Sequence, residues 1–207
     1  MRAYKFLAPG AVGVFSGFHW PQPTGGAPGS WVEAGGGTQR CRRGIHACRV
    51  SDLPWWLGPE LWEAELDGTI VDYAHKVAAP RGRLLRRIEG WTAQVQREYV
   101  HACAWRARDR ALEAVDGDGA RRLRTCTTLD AMRSTARALA DSTPSARIAL
   151  TMAADGAATA IGELPAMGAY VAAHAARVAG GTAAMDAERR WQADWLAERL
   201  GLSAPRA

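Results

Sequence analysis

Apolar and polar residues alternate one by one in several short runs of the first ninety positions, whereas beyond Trp91 the apolar positions recur every three to four. The alternation predicts strands at 3–7, 44–48, 61–66, 70–76 and 83–88, with a short further strand at 30–33. Residues 52–57 read as a helical turn with Ser51 as its N-cap. Asp67-Gly68 falls between two strand runs and predicts a hairpin there. The longer period predicts a helix over 91–115, with Trp91, Val95, Tyr99, Ala102, Trp105 and Leu112 on one face, stopped by Asp116-Gly117-Asp118-Gly119. Further helices are predicted over 129–141 and 145–154, the latter with Pro144 at its start. Pro165 opens another, striped by Met167, Tyr170, Val171, His174 and Val178 and closed by Gly180-Gly181. The last is predicted over 183–200, with Gly201 as its C-cap and Trp191 and Trp195 as anchors.

These elements make an α+β fold. A small, mostly antiparallel β unit (residues 1–90) carries a long Gly/Pro loop at 21–37 and packs against four or five helices (91–207) as one globular unit. Seven of the ten prolines precede Trp91, which sharpens that division. A loop as long as 21–37 in a small domain is either disordered or a cover over a site.

Composition narrows the function classes. At 207 residues and 48% hydrophobic, the chain can bury a substantial core. No apolar run reaches about 18 residues and the N-terminus lacks the apolar length of a signal peptide, so no membrane span and a cytoplasmic location are expected. The four cysteines are then expected as thiols. The charge of +5 comes almost wholly from arginine, Lys5 and Lys76 being the only lysines. An Arg- and Ala-rich composition follows from GC-rich coding, so nucleic acid is not an expected partner. A small-molecule substrate is, with a homodimer as the one protein assembly considered.

Titratable and aromatic side chains crowd between Cys41 and Trp91. His46 follows Gly44-Ile45 at a strand start behind the glycine-rich loop, a place suited to proton transfer; a hydrogen-bonded structural histidine is its plain reading. On a strand His46 and Cys48 share a face, and with Cys41 could bind zinc. The second His-Ala-Cys, His101–Cys103, lies in a helix, where residues two apart point about 200° apart. No metal site is therefore expected. Arg42, Arg43 and Arg49 would favour a Cys48 thiolate, yet neighbours on one strand face splay, and a buried inert thiol is expected. Glu60, Glu63, Glu65 and Asp67 lie along one strand with Trp62 among the acids. They are either a solvated face or a pocket wall on which Glu63 or Glu65 works as acid or base. Arg81 and Arg83 form a row able to hold an anion, or a charged sheet edge. His19 and Trp20 stand where the loop begins, and Trp55 and Trp62 supply indole walls for an aromatic substrate. His174, on its apolar stripe, reads as a core histidine.

The order Tyr4-Lys5-Phe6-Leu7, Phe15-Ser16-Gly17-Phe18, Gly44-Ile45-His46-Ala47-Cys48, Leu61-Trp62-Glu63-Ala64-Glu65-Leu66 and Lys76-Val77-Ala78 resembles an uncharacterised domain of actinobacterial and phage proteins, over residues 1–91. That resemblance implies no activity. More distantly, a Gly-Ile-His strand after a loop is similar to the first nucleotide-binding strand of ADP-ribosyltransferase-like folds, whose His, Tyr, Glu order maps to His46, Tyr73 and Glu89. It implies NAD as cofactor and Glu89 as a catalytic carboxylate. The helical end from Ala187 to Leu196 is similar to the last helix of small actinobacterial accessory proteins.

Three readings follow. The first is a small soluble enzyme using His46 with a carboxylate (Glu63 or Glu65) on an anionic or aromatic molecule in a Trp-lined pocket, with no cofactor. The second is a nucleotide- or NAD-binding, ADP-ribosyltransferase-like domain using Glu89. The third is a non-catalytic interaction protein. Substrate contacts are assigned to His19, Trp20, Trp55, Trp62, Tyr73, Arg81 and Arg83.

Overall fold

Strand β4 (Glu60–Asp67) has a neighbour on each side: β1 (Arg2–Leu7), antiparallel with Ala3 opposite Ala64, and β7 (Arg81–Arg87), antiparallel with Leu66 opposite Gly82. The computed structural model describes residues 1–35 and 44–202. Its α+β architecture divides into two compact units, one formed by residues 1–91 and the chain from Leu196 onward, the other by residues 92–195.

In the first unit the short strand β2 (Val32–Glu33) completes a sheet of order β1-β4-β7-β2. A second sheet, order β3-β6-β5, comprises β3 (Ile45–Ala47), β5 (Val71–Tyr73) and β6 (Lys76–Ala79). The predicted single strand over 70–76 is thus two strands, folded at Ala74-His75. The Asp67-Gly68 hairpin is also corrected. Both long edges of β4 are occupied, so the chain turns at Gly68 into the other sheet instead of pairing back on itself. The sheets meet through one antiparallel bridge, Tyr4 and Cys48 exchanging backbone bonds of 2.8 and 2.7 Å.

Alternation decides which residues enter the core. Ala3 and Leu7 of β1, Trp62, Ala64 and Leu66 of β4, Leu84 of β7, and Ile45, Ala47, Val77 and Ala79 of the second sheet form one buried cluster with Trp20. Trp62 therefore lies on the apolar face, away from Glu63, Glu65 and Asp67 though bonded to Glu60. Gly82 is needed where the layers press together, because a Cβ there would stand 2.7 Å from Ile45 Cγ2 and 3.0 Å from Leu66 Cδ2. The glycine tract, as far as Gly35, is no free cover. Gly29 N–H donates to the Leu84 carbonyl (2.9 Å), β2 pairs with β7, and Ala34 N–H donates to the Pro80 carbonyl (2.7 Å). Residues 36 and 37 of the predicted loop lie outside the described residues.

A 3₁₀ turn over Val50–Trp55 replaces the predicted turn at 52–57. Its start is held by Asp52, which accepts from the Arg49 backbone N–H (3.1 Å), and not by Ser51. Glu60 clamps the loop after β1, its carboxylate accepting from Gly10 and Ala11 N–H (both 3.1 Å) and from Trp62 Nε1 (3.1 Å). This holds Ala11 at φ 61, a left-handed conformation that alanine seldom adopts.

The second unit holds α1 (Ala93–Leu112), α2 (Gly117–Arg124), α3 (Leu129–Ser142), α4 (Arg147–Ile161) and most of α5 (Pro165–Leu200). Thr92 and Thr128 cap α1 and α3, accepting from Val95 and Ala131 N–H (both 3.2 Å). The Asp-Gly-Asp-Gly stop ends no helix itself; α1 has already ended, and α2 begins inside that stretch. Its buried face also differs from the expected one. Val95, Tyr99, Val100, Cys103, Ala104, Ala107 and Ala111 are buried, while Ala102, Trp105 and Leu112 are half-buried. The physical reason is close approach of small residues: a Cβ at Gly156 of α4 would lie 3.1 Å from the Ala107 Cβ. Helix α5 is broken where expected, at Gly180 and Gly181 (φ 70), beyond which Glu188 and Gln192 are fully buried. The Arg106 guanidinium grips Glu188 at both oxygens (2.8 and 2.6 Å) and stacks 4.0 Å from the Trp191 ring. Gln192 donates to the Ala169 carbonyl (3.0 Å).

Two stability changes follow. Gly82→Ala is expected to cost about 1–3 kcal/mol through overpacking. Glu188→Ala, which strands a partly exposed guanidinium, is expected to cost about 2 kcal/mol. Urea unfolding followed by tryptophan fluorescence measures both; a variant as stable as the wild type refutes the corresponding contact.

Candidate functional site

With Ile45, Ala47, Val77 and Ala79 turned into the core, alternation sends His46, Tyr73 and Lys76 to the opposite face of the second sheet. The register sets His46 against Ala78 and Tyr73 against Lys76, so the three side chains gather at one end of that face. All three are half-buried. The His46 and Tyr73 ring centroids are 6.4 Å apart. Lys76 Nζ lies 5.2 Å from the centroid of Trp56 and 6.0 Å from that of Tyr73. Trp56 is delivered by the 3₁₀ turn, and its Nε1 donates to the His75 carbonyl. Trp55 stacks on the His75 ring at 3.9 Å and 12°. Arg49 ties the turn to β5, donating to both Asp72 oxygens (2.7 and 2.8 Å) and to Asp52 (2.7 Å).

Electrostatically the face is cationic. His46 Nδ1 is buried and has no hydrogen-bond partner among the described residues. Burial first, then the positive charges of Lys76 and Lys5, push the imidazole pKa below its ordinary value. The ring is therefore neutral near pH 7 and can act as a base or accept a hydrogen bond. Burial pushes the Cys48 thiol up to about 12, so it is not a nucleophile. Cys41, Arg42 and Arg43 lie outside the described residues. Among the described residues no three His, Cys, Asp or Glu side chains group to hold a metal ion, and no helix is long and apolar enough to cross a membrane.

The remaining predicted residues separate from His46. Glu63 is buried between Arg86 (2.6 Å) and Arg2 (3.1 Å), and Glu65 is bound by Arg83 (2.8 Å). Tyr4 of β1 pairs with Glu63 on one side and bridges Cys48 on the other, so β1 separates the strand of His46 from that of Glu63. The expected histidine–carboxylate pair is not assembled, because the acids neutralise the arginines facing them across the ladder. The anion-holding arginine row is likewise occupied: Arg81 Nε donates to Asp67 (2.6 Å), Arg83 holds Glu65, and both guanidiniums lie over Trp31, at 4.8 and 4.5 Å. Trp62 is buried against Glu60, and Trp20 is buried in the core beneath Lys5. His19 is exposed, its backbone bridged to Val12. Glu89 is 78% exposed beyond β7 and 3.8 Å from Arg87.

The structure thus brings together His46 and Tyr73, and Trp55 with His75 beside them. It adds Lys76 and Trp56, which sequence reasoning passed over. The scarcity of lysine was the available signal, since a chain that uses arginine nearly everywhere keeps lysine at two places only. No family model, curated protein or solved structure matches the chain.

An imidazole whose charged form is opposed in the fold is expected to titrate below its unfolded value. The unfolded chain takes up that proton first, so the His46 contribution lowers stability as pH falls below about 6.5. Histidine NMR titration should give His46 a midpoint below the ordinary histidine value, and Lys76→Met should move it upward. A midpoint at the ordinary value would discard the cationic surroundings described.

Proposed function

We propose that the first unit binds a small anionic molecule with a flat ring on the face of His46, Tyr73, Lys76 and Trp56, and that His46 exchanges a proton with it. The observation that carries this reading is the juxtaposition of a neutral imidazole, with one buried nitrogen lacking a partner, and an ammonium poised over two aromatic rings. Tyr73 and Trp56 offer faces for stacking, Lys76 supplies the charge that draws an anion, and His46 supplies a proton acceptor. Glu63 and Glu65 take no part in this scheme, because each is already committed to arginine. The chemistry is that of a binding site able to take a proton from its ligand. A small enzyme is the class it fits best.

The nucleotide reading has one observation in its favour, the approach of His46 and Tyr73. Glu89, which it requires as a third member, stands on another element with its carboxylate in solvent. Binding of a flat anion therefore needs fewer additional assumptions.

Titration calorimetry with indole-3-acetate, 4-hydroxybenzoate and NAD as probes separates the readings. An aromatic carboxylate is expected to bind, with His46→Ala, Tyr73→Ala and Lys76→Met each weakening it about tenfold, about 1.4 kcal/mol, and Glu65→Gln leaving it unchanged. Binding of NAD alone, lost in Glu89→Gln, would replace this proposal with the nucleotide reading. Binding of none of the three would remove it in favour of an interaction protein.

A further inference from the structure

The apolar stripe at the start of α5, which periodicity alone would assign to packing, faces outward. Met167, Tyr170 and Val178 are exposed, and His174, expected in the core, is half-buried with its ring 4.1 Å from that of Tyr170. On a helix these four positions fall within about 80° of one another. The other side of the helix is already packed: Ala169, Ala172, Ala173, Ala175 and Ala176 are buried, and a Cβ at Gly168 would collide with Val100. Ile161, Leu164, Met167, Tyr170 and Val178 are five of the ten exposed large apolar side chains among the described residues. Exposed apolar side chains gathered in this way mark an interaction surface. From Pro165 to Ala179 the only charged side chain is Arg177, whereas a solvated helix face carries several. This stretch rises about 22 Å, short of the roughly 30 Å of a bilayer core. One cation is also too few to hold a helix on a lipid surface.

Charge stands at the two ends of the stripe and differs in sign. Glu163 precedes it, 3.6 Å from Arg97 and with its side chain 54% exposed. Arg177 closes it, exposed and in no ion pair among the described residues. We infer that the stripe is the contact between two copies of this chain, laid antiparallel about a two-fold axis near Tyr170. Residues about equally far from Tyr170 then meet. Leu164 faces Val178, Met167 faces His174, the two Tyr170 rings meet, and Glu163 of each copy faces Arg177 of the other. A parallel pair would instead set Glu163 against Glu163 and Arg177 against Arg177. Two-fold contact is isologous, so a single face supplies both halves of the interface. Tyr170 and His174, already in ring contact, occupy its centre, where large aromatic side chains contribute most to affinity. A stripe this short covers less than a standard interface, and a dissociation constant of about 10 μM is expected.

Sedimentation equilibrium of the full chain over about 1–200 μM brackets that value. The mean mass is expected to rise from one chain toward two. Tyr170→Glu should weaken the dimer at least tenfold, by placing two carboxylates at its centre. Arg177→Glu should weaken it about tenfold, through repulsion at two symmetric positions. Adding Glu163→Arg to that variant should restore association, because both pairs are then reversed. The three side chains are exposed, so the monomer fold should survive each change, which helical circular dichroism checks. A mass of one chain at every concentration overturns the inference and leaves the stripe to a different partner. A dimer that withstands Tyr170→Glu overturns it as well, and so does failure of the double reversal to restore what Arg177→Glu removes. The stripe lies wholly within the second unit, so this test and that of the His46 face fail separately.

Discussion

Burying carboxylates in the middle of a sheet is tolerable only if cations stand opposite them, and β4 is built on that condition. Its odd-numbered acids Glu63, Glu65 and Asp67 face Arg86, Arg83 and Arg81 of β7 across the ladder, while its even-numbered Trp62, Ala64 and Leu66 fill the core. A carboxylate such as Glu63, 5% exposed, would be costly to ionise without Arg86 and Arg2 against it. The pairing also specifies register. A shift of one residue would bring apolar side chains against the guanidiniums and drive the acids into the core. Glu60 extends the same logic to the backbone, accepting from two N–H groups that the turn after β1 leaves without strand partners.

This arrangement explains which parts of the fold were legible in the sequence. The alternation of β3 and β7 is legible because each buries one face and so writes its geometry into every second residue. Strands β1 and β4 are buried on both faces and are marked instead by their apolar runs and paired acids. What could not be read was pairing. Asp67-Gly68 has the composition of a hairpin, but a turn motif does not know that β1 and β7 already occupy both edges of β4. The short strands β5 and β6, of three and four residues, merged into one apparent run because their connection carries neither Gly nor Pro. In α1 the large side chains misled. Trp105 carries Arg108 over its ring and stays half-buried, and alanines make the core face, since helices that approach closely leave no room for indoles.

The candidate site was half legible for the same reason. His46 and Tyr73 could be singled out as chemically active types, but whether they meet depends on the register between β3, β6 and β5, which no local motif encodes. The acids were more conspicuous than the residues of the proposed ligand face. Glu63 and Glu65 have the composition of a catalytic wall, yet an acid in a strand beside an arginine-rich strand is better explained by its partner. Lys76 and Trp56 bear the charge and the ring that make the face distinctive, and each sits in an unremarkable sequence context. The indoles divide similarly: Trp62 and Trp20 serve the core, while Trp56 is left to the outer face.

Taken across the first unit, charge is apportioned by residue type. Arginine goes where a carboxylate awaits it, as at positions 2, 49, 81, 83 and 86, because its planar fork can bind two oxygens and it remains charged in every setting here. The two lysines stand beside other groups: Lys5 against a carbonyl and an indole, Lys76 over two aromatic rings. An ammonium can lose its proton within the range of physiological pH when its surroundings oppose the charge, and a guanidinium cannot. A chain under pressure to use arginine throughout gains nothing structural from lysine at these two places, since arginine would satisfy a carbonyl or stack on indole as well. At Lys5 burial pushes the amine down to about 8, which no arginine in the same place would allow. That difference in chemistry, and not the number of charges, sets Lys5 apart from the arginines of this unit.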